Sequence, residues 1–299
     1  MPLFHKITMN MACIPAYNEE LHIESLVNSI KNCVDQVVVC DDGSTDNTAS
    51  IAKKAGAIVI LHKTNKGYGA AITSLFNYAR ENNADVMITL DGDGQHDPDQ
   101  IPLLLNTITQ HNVDVVIGSR FLNQNVEAPG YRQRGIKIIT STANYGTDLK
   151  VSDSQSGFRA YSKNAINAIH PTEDGMSVST EILLKISNKG LSLAEIPITI
   201  SYDGDTSQHN PISHGVSVLA NTIKYISIKH PLQFYGIPGI ALVTIGIILG
   251  ALFLNGYLNN QLILYGMMVG SVVLFLLGSI LSATAIILFS MVNLIRDNK

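Results

Sequence analysis

Between His230 and Arg296 the chain runs for 65 residues without one Asp, Glu, Lys or Arg. A soluble domain has too little interior to hide such a stretch. Phe234 to Leu254 is 21 apolar-rich residues and Leu262 to Val292 is 31. At 1.5 Å per residue either covers the roughly 30 Å of hydrocarbon in a bilayer. Asn255 to Gln261 reads as the polar turn between them, so the segment predicts a two-helix transmembrane hairpin. Lys224 and Lys229 precede it, Arg296 and Lys299 follow it, and the turn is uncharged, which places both ends in the cytoplasm by the positive-inside rule. Gly246-x-x-x-Gly250 and Gly266-x-x-x-Gly270 offer small faces for packing, either helix on helix or chain on chain in a homo-oligomer.

Charged residues make up 15% of the 299, against roughly 25% in an ordinary globular chain, and the hairpin accounts for the deficit. The 230 residues before it are ample for one large core. A net charge of −4 without clustered Lys and Arg argues against a nucleic-acid partner. Cys13, Cys33 and Cys40 lack C-x-x-C spacing and read as small apolar residues. Met1 to Ala12 is too polar for a signal-peptide core, so the soluble part is expected in the cytosol.

From residue 9 to about 120, short β-branched runs alternate with amphipathic runs of helix length. Met11–Ile14, Gln36–Cys40, Ala57–Leu61, Val86–Leu90 and Val113–Ile117 read as buried strands. Leu21–Lys31, Asn47–Ala55, Ala70–Asn82 and Asp99–Gln110 read as helices. This is a β-α-β series and predicts an α/β fold with a mostly parallel sheet, whose ligands bind beyond the carboxyl ends of the strands. Farther on, Asn123–Gly130 reads as a polar loop, Ile136–Leu149 and Ser179–Lys189 as helices, and Gly157–Tyr161 and Leu193–Ile200 as strands. Val216 to Lys229, with Val216, Leu219, Ile223 and Ile226 at helical spacing, predicts a helix along the membrane interface.

The polar motifs fall at the strand ends. Asp91-Gly92-Asp93-Gly94-Gln95-His96-Asp97 follows the fourth strand. Alternate carboxylates there point to one side, so Asp91 and Asp93 can share a hard cation, with Gln95 adding a neutral oxygen. An EF-hand fails, because its sixth position needs Gly and its twelfth Glu, where this chain has His96 and Pro102. A solvated turn that caps the next helix is the alternative. Asp41-Asp42-Gly43-Ser44-Thr45-Asp46 ends the second strand, where two carboxylates suit hydrogen bonds to a base or ribose and Ser44 or Asp46 suits a helix cap. Gly67-Tyr68-Gly69 lacks the third glycine of a dinucleotide fingerprint, and no G-x-x-x-x-G-K-[ST] is present.

Ile14-Pro15-Ala16-Tyr17-Asn18-Glu19-Glu20, Asp41-Asp42-Gly43-Ser44, the Asp91 cluster, Gly118-Ser119-Arg120-Phe121 and Ser156-Gly157-Phe158-Arg159 occur in that order. Together they resemble the family 2 glycosyltransferases, and within them the dolichyl-phosphate mannose or glucose synthases. The resemblance runs from about residue 10 to 230. It implies a GT-A-type, Rossmann-like sheet, and transfer of a hexose from a nucleotide-diphosphate sugar such as GDP-mannose or UDP-glucose to a polyprenyl phosphate. It implies a cytosolic catalytic domain over 1–213, an interfacial helix over 214–230, and a hairpin with a short cytosolic tail over 231–299.

On that resemblance Pro15, Ala16, Tyr17, Glu19, Asp42, Asp91 and Gln95 are expected to hold the donor, and Asp91, Asp93 and Gln95 a divalent cation, Mg2+ or Mn2+. The acceptor is a phosphate monoester, largely deprotonated at pH 7, so it needs no dedicated base. It needs cationic positioning, for which Arg120, Arg132, Arg134 and Arg159 are the candidates. Asp93, Arg120 and Arg134 are the expected catalytic set. Glu181 matches a family glutamate near the sugar and equally reads as a helix-surface charge. Similar mannose synthases carry an arginine soon after the last strand, whereas Ser201 to Asn210 has none, leaving His209 or Lys224 as stand-ins. A processive polysaccharide synthase would carry Q-x-x-R-W, and the chain has no tryptophan. A non-catalytic nucleotide-sugar sensor is the reading from another class.

Overall fold

The computed structural model describes residues 9–122, 130–147, 149–200, 220, 223, 226–228, 230–259 and 265–297. The chain divides into two compact units, Met1–Thr222 and Ile223–Lys299.

In the first unit β1 (Asn10–Ala16), α1 (Ile23–Ile30), β2 (Gln36–Asp41), α2 (Thr48–Lys54), β3 (Ile58–Leu61), α3 (Tyr68–Glu81) and β4 (Val86–Thr89) alternate as the sequence pattern requires. A single 3-10 turn, Pro98–Gln100, leads into α4 (Ile101–Gln110), followed by β5 (Val115–Ser119) and α5 (Gly130–Thr147). β6 (Arg159–Ser162), α6 (Lys163–Ala168), α7 (Val178–Lys189) and β7 (Leu193–Pro197) complete it. The seven strands lie in the order β3-β2-β1-β4-β6-β5-β7. All neighbours are parallel except β6, which runs antiparallel to both β4 and β5. The sheet is therefore mostly parallel, as expected.

Alternation along the strands splits the core in two. Met11, Cys13, Val38, Cys40, Met87, Val115 and Tyr161 face one side, against Leu75 and Phe76 of α3 and Ile182 and Ile186 of α7. Ala12, Ile14, Val37, Val39, Ile88, Val116 and Ala160 face the other, against Ile23, Val27 and Ile30 of α1 and Leu104 of α4. Each large side chain so buried contributes about 1.5–3 kcal/mol. Cys13 and Cys40 belong to this core as small apolar residues, and burial pushes the Cys40 thiol up to about 12.

Several boundaries differ from the sequence reading. α3 begins at Tyr68 rather than Ala70, because the carbonyl of Asp174 receives the amides of Gly69 (2.8 Å) and Ala70 (3.2 Å) and so caps the helix from a distant loop. α5 begins at Gly130, six residues ahead of Ile136, and residues 123–129 of the expected polar loop lie outside the described residues. α6 was not anticipated, since six residues are too few to show a period; its first turn is capped by the Ser162 hydroxyl, which accepts the Ala165 amide. β6 starts at Arg159 instead of Gly157. β7 stops at Pro197, and Ile200 makes an isolated antiparallel bridge to His96.

In the second unit a turn of π-helix, Leu232–Gly236, runs into α8 (Ile237–Leu258), and α9 spans Tyr265–Asp297. Both helices are long and apolar enough to cross a membrane, over Leu232–Leu258 and Tyr265–Val292, and only 11% of the most apolar window of each is buried. A core helix of a soluble protein would be buried. Asn255 to Leu258, expected in the turn, instead finish α8. The helices pack at their small residues: a Cβ on Gly246 would lie 2.8 Å from the Phe275 amide, and one on Gly278 2.6 Å from the Gly239 carbonyl. The Gly246 face is thus used helix on helix, while a Cβ on Gly266 or Gly270 meets nothing within 4 Å among the described residues. Of the expected interfacial helix, positions 220, 223 and 226–228 are described, and they are helical.

Candidate active site

The loops after β1 and β2 interlock at the carboxyl end of the sheet. Asn18, at φ +57°, donates its amide to Ser44 Oγ (2.9 Å) and accepts the Thr45 amide on Oδ1 (2.9 Å). The Glu19 amide reaches Thr48 Oγ1 (2.8 Å), and the Glu20 carboxylate receives the Asn47 amide (3.1 Å). Pro15 and Ala16 end β1, buried beneath this lattice, and Tyr17 is half-buried at its edge.

Asp42, expected to contact the base or ribose, is 3% exposed. Its carboxylate receives His62 Nδ1 (2.6 Å), the Lys66 amide (3.0 Å) and the Gly67 amide (2.7 Å), so both oxygens are occupied by protein donors. Asp42 anchors the 62–67 loop. His62 continues the chain to Ser74 Oγ on α3 (2.9 Å).

β4 delivers Asp91 and Asp93 to the same end. Thr89 Oγ1 donates to the Gly157 carbonyl (2.8 Å), which brings the chain before β6 against the Asp91 carboxylate. A Cβ on Gly157 would sit 2.6 and 2.7 Å from the two oxygens of Asp91, so a side chain there would have to push the carboxylate aside. Asp91 Oδ1 also accepts the Tyr68 hydroxyl (2.9 Å). Burial raises the Asp91 pKa, and the Tyr68 bond and the charges of Arg120 and Arg159 draw it part of the way back. Burial and then repulsion from Asp91 raise Asp93, whose Oδ1 accepts the Gln95 amide (3.0 Å). Glu19 packs over Gly92, and burial with repulsion from Asp93 pushes it up to about 7. Burial and the Asp91 charge keep the Tyr68 phenol protonated.

The fold thus presses like charges together where oxygen ligands for a hard cation are expected. Among the described residues no group of three His, Cys, Asp or Glu side chains could hold a metal. A cation at Asp91, Asp93 and the Gln95 amide oxygen would complete its shell with water and donor phosphates, the habit of Mg2+ and its relatives at phosphate sites. The donor set fits that group.

The arginines divide. Arg120 is held bidentately by Asp153, Nε to Oδ2 at 2.6 Å and a terminal nitrogen to Oδ1 at 2.8 Å, with Asp153 fully buried. Glu195 on β7 fixes that loop, receiving the amides of Ser152 (2.8 Å) and Asp153 (3.2 Å). Sequence reasoning missed both acids, which lie 33 and 75 residues beyond Arg120 with no local pattern to flag them. Arg159 is 2% exposed and spends its guanidinium on the carbonyls of Ser154, Ser156 and Ser179. It is corrected from a phosphate contact to a buried brace that reaches the site through its charge on Asp91. Arg134 is exposed on α5 beside exposed Lys137, Ile138 and Tyr145, while Ile139, Thr140 and Ala143 face inward. Arg132 lies on the same helix, and its side chain is outside the described residues, as are His209 and Lys224. Glu181 receives the amides of Thr172 (3.0 Å) and Glu173 (2.9 Å) and pairs with Lys185 (2.7 Å), which makes it a loop anchor. His96 is buried 4.0 Å from Asp91 Oδ2, and burial pushes it down to about 4, so it is neutral at pH 7.

Residues 11–169 match glycosyl transferase family 2. The chain is 32% identical to the UDP-N-acetylglucosamine–dolichyl-phosphate N-acetylglucosaminyltransferase of Methanococcus voltae, over 63% of this chain and 84% of that one. It is 30% identical to a dolichyl-phosphate hexose transferase of Haloferax volcanii, over 70% of this chain and 90% of that one. Among solved structures it is similar to the glucosyl-3-phosphoglycerate synthase of Mycobacterium tuberculosis, crystallised with Mn2+, UDP-glucose and phosphoglyceric acid. That likeness has a TM-score of 0.61 at 22% identity, over 74% of this chain and 80% of that one, and shows a shared GT-A fold. The chain belongs to glycosyl transferase family 2 and is a glycosyltransferase.

Proposed function

We propose that this glycosyltransferase moves a hexosyl group from a nucleotide-diphosphate sugar to a polyprenyl phosphate, with inversion and with a divalent cation. The observation that carries the reading is the Asp91–Asp93 pair just past β4, with Asp91 held by Tyr68 and Gly157, in a chain whose relatives are named for transfer to dolichyl phosphate.

A phosphate oxygen of the acceptor attacks C1 of the sugar from the face opposite the diphosphate; the C1–O bond breaks and the nucleoside diphosphate leaves with the electron pair. Asp91, Asp93 and Gln95 would hold the cation, which would supply Lewis acidity toward the leaving diphosphate. The acceptor arrives already ionised, so no side chain must take its proton. Pro15, Ala16, Tyr17 and Glu19 line the donor side. Asp42 shapes that side indirectly through the 62–67 loop. Arg120 is paired with Asp153 and its charge favours the ionised form of Asp91, while Arg134 presents its charge outward on α5 for the acceptor.

A polyprenyl tail stays in the bilayer, so its phosphate rises only a short way above the headgroups. The outer face of α5, with Arg134 and Lys137 beside exposed Ile138 and Tyr145, has the mixed basic and apolar character of an interfacial helix. The hairpin over 231–299 is read as the membrane anchor with both ends cytosolic, the segment 214–230 as lying on the surface, and residues 1–213 as the catalytic domain.

The test is to incubate the full-length protein in lipid with a panel of labelled nucleotide sugars and polyprenyl phosphate, with and without EDTA. Labelled sugar should enter the lipid phase for one donor, and EDTA should stop it. Transfer only to water, or to no acceptor at all, refutes the reading.

A further inference from the structure

The triplet Gly67-Tyr68-Gly69 matches no phosphate-binding pattern, yet it is pinned from two sides. From the sheet, Asp42 Oδ2 receives the Gly67 amide at 2.7 Å, with Gly67 at φ +104°, a conformation a side chain would strain. From above, the 173–175 loop lies directly on the turn. A Cβ on Gly67 would fall 2.4 Å from the Asp174 carbonyl oxygen, and one on Gly69 2.0 Å from that of Glu173. That loop is itself fixed, because Glu181 holds the amides of Thr172 and Glu173. Two glycines are required here because two backbones touch, and the residue between them is therefore held with unusually little freedom. Tyr68 projects its hydroxyl onto Asp91 Oδ1 at 2.9 Å.

A phenol has one hydrogen to donate, and this one goes to the carboxylate. Gly157 limits the same carboxylate, whose oxygens lie 2.6 and 2.7 Å from a would-be Cβ. The carboxylate is thus oriented by a donor on one oxygen and by backbone behind it. We propose that Tyr68 is a positioning residue for Asp91: the triplet fixes the carboxylate in the attitude in which it takes the cation, before cation or donor arrives. This rests on the reading of Asp91 as a cation ligand. Partners that orient a ligating carboxylate are typically worth 10- to 100-fold in metal affinity. The triplet also joins Asp42 to Asp91 through two consecutive residues, Gly67 and Tyr68.

The test uses full-length protein in detergent, without donor or acceptor, titrated with Mn2+ while the spin resonance signal of the unbound ion is followed. Tyr68→Phe should raise the Mn2+ dissociation constant about 10- to 100-fold, with the thermal midpoint within a few degrees of wild type. In turnover the same variant should need more Mn2+ for half-maximal rate while recovering most of its rate at saturation. In an Asp91→Asn background, where the oriented oxygen is already altered, Tyr68→Phe should cost less than about twofold. Mn2+ binding by Tyr68→Phe within about twofold of wild type, or an equal loss in both backgrounds, overturns the proposal. Wild-type protein that binds no Mn2+ would instead remove the cation reading itself, and this inference with it.

Discussion

Replacing Gly157 by alanine puts a methyl group 2.6 and 2.7 Å from the two oxygens of Asp91 and 2.9 Å from its Cγ. Ordinary contact begins near 3.4 Å, so the carboxylate must retreat by most of an ångström. The backbone can stay, since Thr89 Oγ1 still holds the Gly157 carbonyl and β4 and β6 remain paired from Thr89–Arg159 onward. The neighbour that gives way is a short side chain, and its retreat breaks the Tyr68 bond. Overpacking of this kind costs about 1–3 kcal/mol where the surroundings are rigid, and the lower end applies when one side chain can swing aside. Misplacing a reacting or ligating group by about 1 Å, however, costs roughly 100-fold in rate. Gly157→Ala should therefore lower the thermal midpoint by only a few degrees while sugar transfer falls about 100-fold. Both are measured on one preparation, by thermal unfolding and by initial rates with labelled donor and polyprenyl phosphate. Transfer within threefold of wild type would show that Asp91 is not held where the chemistry needs it, and the reasoning would fall.

Raised carboxyl pKa values mean that protons compete with a cation, so Mn2+ affinity should increase as pH rises toward 7 and level off above it, where Glu19 has ionised; calorimetric titration at several pH values checks this, and affinity that falls with pH contradicts it. In the metal-free protein the sign for stability is opposite: the folded state holds the Glu19 proton up to about 7 and the unfolded state loses it near 4.5, so this contribution is present below 4.5 and lost as pH rises to 7. Arg134→Ala should raise the apparent KM for polyprenyl phosphate about ten- to a hundredfold, from a charge-assisted contact worth roughly 1.5–3 kcal/mol, and leave donor binding unchanged. A collapse of donor affinity would place Arg134 on the diphosphate side instead. A cysteine at Asn259 should react only with reagent on the side away from the catalytic domain; labelling from the catalytic side would contradict the hairpin.

The alternating pattern of β1 to β5 was legible because apolar periodicity is local: Ile14, Val39 and Ile88 announce a buried sheet from a few neighbours each. The same holds for α8 and α9, where length and lack of charge suffice. The Asp91–Asp93 motif was visible in the sequence as two carboxylates just past a predicted strand; in the structure β4 stops at Thr89 and the turn that follows it, not the pleat, sets the two side by side. The ends of α3 and the role of Asp42 were not legible, because each depends on partners far away in sequence: Asp174 caps α3 across about a hundred residues, and the 62–67 loop claims the Asp42 carboxylate. The arginines make the point most sharply. Sequence supplied four candidate cations, and the fold distinguished three of them, burying Arg159 among carbonyls, tying Arg120 to Asp153 and leaving Arg134 exposed. Which chemistry the chain can perform was written in residue types and spacing. Which atom of each residue is available to perform it was decided by long-range packing, because hydrogen-bond donors and buried charges are satisfied by whatever the fold brings within 3 Å.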